Sequence, residues 1–261
     1  MPDPAAARGR GVRVVLVLCV LGMAVVAGLW TWQRTTSVAQ SAGDELPLVV
    51  LVSGYAGDGR DLAPIAGALG DQGRRVAVFP PVGDNTGDLR EQAALLGEFV
   101  DDERGGADSV DVVGYSAGGV VARLWVRDYG GASVARRVLT LAAPQHGTTL
   151  ARLADTVGLC DGACAQLVPG SELLTRLNSG DETPPGPEWI AMWSERDRTV
   201  APPSTANLAG ALAVTVQSIC PAATTGHAQL PGSPVVLAAL PAVLGADAPT
   251  APVAADVDCD G

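Results

Sequence analysis

The chain has 261 residues, 48% of them apolar, with 32 glycines and 19 prolines, which suits one globular domain with extensions and excludes a disordered or fibrous chain. All 17 basic residues are arginine, and 28 Asp and Glu outnumber them, for a net charge of −11. That balance argues against a nucleic-acid partner, because phosphate binding draws on clustered positive charge.

At the amino terminus, residues 1–45 stand apart. Arg8, Arg10 and Arg13 precede an uncharged run from Val14 to Gln33, about the length a helix needs to cross a bilayer. Basic residues before the run and Trp30 and Trp32 at its far end predict an amino terminus kept inside, with everything later exported. Two fates stay open. The segment is either a retained membrane anchor or a cleaved signal peptide, for which Ser37-Val38-Ala39 has the small-x-small form although Arg34 intervenes. In both cases the rest of the chain is expected to work outside the cytoplasm, anchored to the membrane or secreted. Cysteine usage agrees: with Cys19 assigned to the apolar segment, four cysteines remain, an even number as an oxidising compartment favours.

Between residues 46 and 245, short runs rich in Val, Ile and Leu recur at 46–54, 74–80, 109–115, 136–143, 188–194 and 211–217. Runs apolar on both faces read as strands buried in a parallel sheet. Helical spacing is found at 61–72, at 86–104 (Leu89, Ala93, Leu96, Val100), at 117–129 and at 233–243. Alternation of this kind predicts an α/β fold: a mostly parallel sheet of about six strands, doubly wound, with helices on both faces.

Reactive groups of such sheets collect at the carboxyl ends of the strands. The third strand runs into Gly114-Tyr115-Ser116-Ala117-Gly118 and then a helix. This is the G-x-S-x-G nucleophile elbow, a turn so tight that residues 114 and 118 have no room for side chains. It exposes the Ser116 hydroxyl and aims the Ala117 N–H at the same space. A second oxyanion donor is expected from the loop after the first strand, LVSGYAGDG, where Gly54 allows close approach and the Tyr55 N–H is best placed.

A serine nucleophile needs a base, and the chain has only His146 and His227. In this architecture the partners follow in the order Ser, acid, His. His146 comes after the very next strand, leaving no room for the acid first, and is read as structural or pocket-lining. His227 follows the last strand and is the expected base. The acid is then Glu195 or Asp197, in SERDRTVAPP, where pairing with Arg196 and Arg198 is the competing role for Asp197. About 45 residues separate the fourth and fifth strands. They are expected to form either a modest cap over the site or plain surface decoration, with Leu150, Leu153, Leu159 and Leu167 as pocket or core residues. Cys160 and Cys164 are close enough for a small bridged loop, which leaves Cys220 and Cys259 to tie the tail, residues 246–261, to the domain. The tail also holds Asp256-x-Asp258-x-Asp260, the start of a calcium-loop pattern whose later acidic ligand is missing; no metal is expected.

In their order, LVSGYAGDGRDLAPIAGAL, VDVVGYSAGGVVARL, LAAPQHGTT, SERDRTVAPP and GHAQLP resemble the small secreted actinobacterial and bacillar lipases and esterases of the α/β-hydrolase superfamily, over about residues 46–243. The resemblance implies hydrolysis of fatty-acid esters without a cofactor, by a protein expected to be monomeric. It implies Ser116 as nucleophile, His227 as base, Asp197 as acid through the pattern S-x-x-D-x-x-V (Ser194, Asp197, Val200), and Tyr55 and Ala117 as oxyanion donors. One departure is plain: the family commonly has His-Gly where this chain has Ser53-Gly54. An acyltransferase using the same triad, a serine peptidase and a silent surface-binding protein are the alternatives, the last disfavoured by intact Ser, Asp and His.

Overall fold

The computed structural model describes residues 46–259. The expected anchor or signal segment, residues 1–45, and Asp260 and Gly261 lie outside the described residues; among the described ones no helix is long and apolar enough to cross a membrane.

The first apolar run forms β1 (Leu48–Val52), buried along its whole length. It leads through a 3-10 turn into α1 (Ala63–Asp71), which has Pro64 in its first turn, where a missing N–H costs nothing. The second run supplies only a short edge strand, β2 (Val76–Val78). Helix α2 (Leu89–Arg104) starts at Asp88, whose carboxylate accepts from the Arg90 N–H, three residues later than the apolar spacing predicts. β3 (Val110–Tyr115), α3 (Ala117–Asp128) and β4 (Ala135–Leu141) follow. The segment between β4 and β5 (Glu188–Trp193) holds three short helices, α4 (Thr149–Thr156), α5 (Gly162–Gln166) and α6 (Glu172–Leu177). The last strand, β6 (Leu212–Thr215), is shorter than its apolar run. Thr215 Oγ1 accepts from the Ser218 N–H and turns the remainder into a one-turn helix, α7 (Val216–Ile219). Helix α8 (Pro234–Leu244) closes the domain.

All six strands are parallel, in the order β2-β1-β3-β4-β5-β6. Successive strand residues feed opposite faces: Val50, Val52 and Val112 pack under α2 and α3, while Val49, Leu51 and Val113 pack under α1 and α8. Each such fully buried side chain contributes about 1.5–3 kcal/mol. The direction of winding reverses between β1 and β3, so the loops after these two strands diverge and leave a crevice at the carboxyl edge.

The opposite edge is closed by charge. Asp111, fully buried, accepts from Arg74 Nη2 at 2.6 Å and from Arg136 Nε and Nη2 at 2.8 and 2.5 Å. The same arginines, with Arg137, donate to the last carbonyls of α8 and just beyond: Arg74 and Arg136 to Leu244, and Arg136 and Arg137 to Gly245. Three cations thus satisfy acceptors that a helix end leaves open. Two disulfides join Cys160 to Cys164 and Cys220 to Cys259, the second tying the tail to the segment after α7.

Candidate active site

Ser116 sits between β3 and α3 at φ 52°, ψ −127°, a conformation that costs a non-glycine residue of order 1–3 kcal/mol and persists only where its surroundings fix it. Here they do. The Ser116 N–H donates to the Leu141 carbonyl of β4 at 2.8 Å, and its carbonyl accepts from the Gly119 N–H. A Cβ at position 114 would lie 2.5 Å from the Gly118 carbonyl oxygen, and one at 118 would lie 2.3 Å from that of Val52. Both glycines are therefore steric requirements of the turn.

His227 Nε2 is 3.0 Å from Ser116 Oγ, and His227 Nδ1 is 2.6 Å from Asp197 Oδ2. The carboxylate only accepts, so it fixes the proton on Nδ1 and leaves Nε2 to accept from the serine hydroxyl. Asp197 is buried, and its other oxygen accepts from the N–H groups of Thr199 and Val200 at 2.8 and 2.9 Å. Ser194 explains the spacing of S-x-x-D. Its hydroxyl donates to the Thr225 carbonyl at 2.6 Å and accepts from the Arg196 N–H at 3.1 Å, so the loop of Asp197 is tied to the loop of His227. Gln217, on α7, reinforces that tie by accepting from the Glu195 N–H at 2.8 Å and donating to the Ala223 carbonyl at 3.0 Å. Glu195 itself is exposed, and no bond joins its carboxylate to His227.

His146 lies apart from this group. Its ring bonds Glu182 Oε1 at 2.9 Å and the Thr205 carbonyl at 3.2 Å, which makes it a structural tie between the segment after β4 and the one after β5. The first of these segments is also held from beneath by Arg123 on α3. Its buried guanidinium donates to Asn178 Oδ1 and to the carbonyls of Leu177 and Glu182, and burial pulls its pKa down to about 10.

Gly54 brings the β1 loop against the nucleophile: a Cβ there would lie 2.7 Å from Ser116 Cβ. The N–H groups of Tyr55 and Ala117 have no hydrogen-bond partner among the described residues. Where the resemblance predicts a histidine, Ser53 is buried, and Asn85 secures the loop. Asn85 Nδ2 donates to the Gly54 carbonyl at 2.8 Å, while its own carbonyl accepts from the Ala56 N–H at 3.2 Å. The sequence analysis did not single out Asn85, nor Tyr115. The Tyr115 ring stacks on the His227 imidazole with centroids 5.1 Å apart, and its hydroxyl donates to the His227 carbonyl at 3.1 Å.

Beside Ser116 opens a cavity of about 270 Å3, lined mainly by apolar atoms of α4, the bridged loop and Val200. Of the four leucines considered, Leu150, Leu159 and Leu167 line it, whereas Leu153 is 63% exposed and does not. A second depression of about 370 Å3 includes His227, Arg196 and Arg198.

Residues 99–237 match the family model Lipase (class 2). The structure is similar to that of Aspergillus fumigatus lipase B, with a TM-score of 0.69 and 20% identity over 78% of this chain and 54% of that one. This chain thus spans about half the length of that lipase. A Listeria innocua gene product matches at a TM-score of 0.56 and 15% identity, over 80% of this chain and 98% of that one. An extracellular α/β-hydrolase from a Paenibacillus species matches at 0.50 and 13%, over 77% and 100%. A comparison with curated proteins returns no match. The fold is that of the α/β-hydrolases, and, with more than half of its residues matched, the chain belongs to the class 2 lipase family.

Proposed function

We propose that the protein hydrolyses carboxylic esters of fatty acids through an acyl-enzyme on Ser116. The observation that carries this reading is the position of the His227 ring, within hydrogen-bond reach of both Ser116 Oγ and Asp197 Oδ2. His227 removes the hydroxyl proton as Oγ attacks the ester carbonyl, then returns it to the departing alcohol; water repeats the sequence to free the acid. Asp197 orients the imidazole and stabilises its charged form. The Tyr55 and Ala117 N–H groups receive the negative oxygen of the tetrahedral intermediate. The apolar cavity takes the acyl group, and Leu150 and Leu159 at its rim are 52% and 79% exposed, a surface over which a fatty chain enters without meeting charge. The chemistry needs no cofactor. Two disulfides support a domain working outside the cytoplasm, to which the amino-terminal segment delivers it.

The test is hydrolysis of p-nitrophenyl esters of graded chain length, together with covalent labelling by a fluorophosphonate. The wild type is expected to turn over the series and take the label, and Ser116→Ala to do neither. Hydrolysis or labelling that survives Ser116→Ala sinks the reading, and the chain-length optimum distinguishes an esterase from a lipase.

A further inference from the structure

We propose that the depression beside His227 is a subsite for an anionic group carried on the alcohol part of the ester, with Arg196 and Arg198 as its ligands. The inference rests on the roles given above to Ser116 and His227 and narrows them to a substrate class: acyl esters of phosphate- or carboxylate-bearing alcohols.

When the acyl-enzyme forms, the acyl carbon stays bonded to Ser116 Oγ. Its bond to the alcohol oxygen breaks, and His227 Nε2 passes its proton to that oxygen, so the departing group lies against His227. The two hollows at the site share Thr199 alone; Ser116 opens into one and His227 into the other. The first is apolar. The second includes the side chains of Thr224, Gln229, Arg196 and Arg198, which can hold a solvated, hydrogen-bonding group.

The arginines decide the sign of that group. Neither guanidinium has a hydrogen bond or ion pair among the described residues, whereas those of Arg74, Arg123, Arg136 and Arg137 are engaged. Asp197, which stands between the two in sequence and is the obvious partner, is turned inward to His227 and to the Thr199 and Val200 N–H groups. Glu195 does not line the hollow. Two free guanidinium-bearing residues lining one hollow in a chain of net charge −11 form a local exception to a field that otherwise repels anions. Guanidinium groups are matched in shape and charge to phosphate and carboxylate oxygens. Both groups are solvent-exposed, so their attraction weakens with salt.

The test uses three soluble hexanoyl esters: 1-hexanoylglycerol, 1-hexanoylglycerol 3-phosphate and hexanoylglycerate. The wild type is expected to hydrolyse the phosphate or the carboxylate ester with kcat/KM about tenfold or more above the neutral one, a ratio that falls as salt is raised from 20 to 500 mM. The larger of the two ratios identifies the preferred anion. R196Q/R198Q is expected to bring the ratio to about one, and R196K/R198K to restore part of it. Equal rates on charged and neutral esters in the wild type, a ratio indifferent to salt, or a ratio that survives R196Q/R198Q overturns the subsite. Ser116→Ala separates the two failures: turnover in that variant removes the underlying reading, whereas its inactivity beside a missing charge preference removes the subsite alone.

Discussion

The two edges of the sheet treat polar groups in opposite ways. At the amino edge, Asp111, Arg74, Arg136 and Arg137 are bonded to one another or to the carbonyls that end α8, and none of the described non-glycine residues there has a positive φ. At the carboxyl edge, Ala56, Asn85, Ser116 and Ala142 follow β1, β2, β3 and β4, and these are the non-glycine residues with positive φ among the described residues. There the N–H groups of Tyr55 and Ala117 are left without partners, as are the guanidinium groups of Arg196 and Arg198. One edge spends its polar groups on holding the chain together, and the other keeps them available for something that is not part of the chain. Strain and unmet bonding at one end are tolerable because the bonds at the other, where Arg74 Nε is the buried nitrogen left without a partner, fix the strands that both ends share.

Substitutions at each edge test whether stability and catalysis are held apart. The largest effect is expected at Asp197→Asn, which keeps the side chain's size but offers His227 Nδ1 a less certain acceptor and favours the wrong tautomer. A fall in kcat of about 10^4 is expected on the p-nitrophenyl series, with a melting temperature close to that of the wild type. A fall of less than about tenfold would mean that the acid lies elsewhere. Asp111→Asn is the matching change at the other edge. It leaves Arg74 and Arg136 without their shared anion, at a cost of about 3–5 kcal/mol, or roughly 10 °C in melting temperature for a domain of this size. Turnover below the transition is expected to be unaffected. A variant of Asp111 that loses kcat without losing stability would show that the edges are not separate.

How far the two edges could be read from the sequence follows the same division. Ser116 was legible because the turn's geometry demands Gly114 and Gly118, so steric necessity is written directly into residue type. His227 was legible because only two histidines exist and chain order excludes the other. The choice of Asp197 over Glu195 rests chiefly on the family pattern. Its reason is tertiary: the Ser194 hydroxyl reaches the Thr225 carbonyl thirty-one residues on. Asn85 was hidden because an Asn in PPVGDNTGD looks like any turn former, and its bond to Gly54 joins loops of different strands. Tyr115 looked like the last residue of a buried strand, which it also is. The end of β6 was misjudged because an apolar run does not reveal that Thr215 will cap a helix.

Asn85→Gly is the sharper probe of the strained edge. Glycine keeps the positive φ at no steric cost and the backbone bond from Ala56, but removes the donor to the Gly54 carbonyl, so the loop that carries the Tyr55 N–H loses its side-chain tie. Loss of a direct oxyanion donor costs about 10^2–10^3 in kcat. A loosened donor should cost less, about tenfold, with KM little changed, since the ester carbonyl gains most from that N–H in the tetrahedral state. A change confined to KM would assign Asn85 to substrate binding instead.

The smallest effect is expected at Tyr115→Phe. The ring that stacks on His227 is retained, and only the hydroxyl's bond to the His227 carbonyl is lost, a net interaction of about 0.5–1.5 kcal/mol. Because that bond holds the backbone of the base rather than its ring nitrogens, kcat should fall about two- to fivefold. Burial, followed by the charges of Asp61 and Asp197, pushes the Tyr115 phenol well above its ordinary range, so the hydroxyl remains a donor throughout the alkaline range in which esters can be assayed. The pH–rate profiles of the wild type and of Tyr115→Phe should therefore differ in height and not in shape. An alkaline limb present in the wild type and absent from the variant would mean that Tyr115 ionises during the assay, and that it acts on His227 through charge rather than through position.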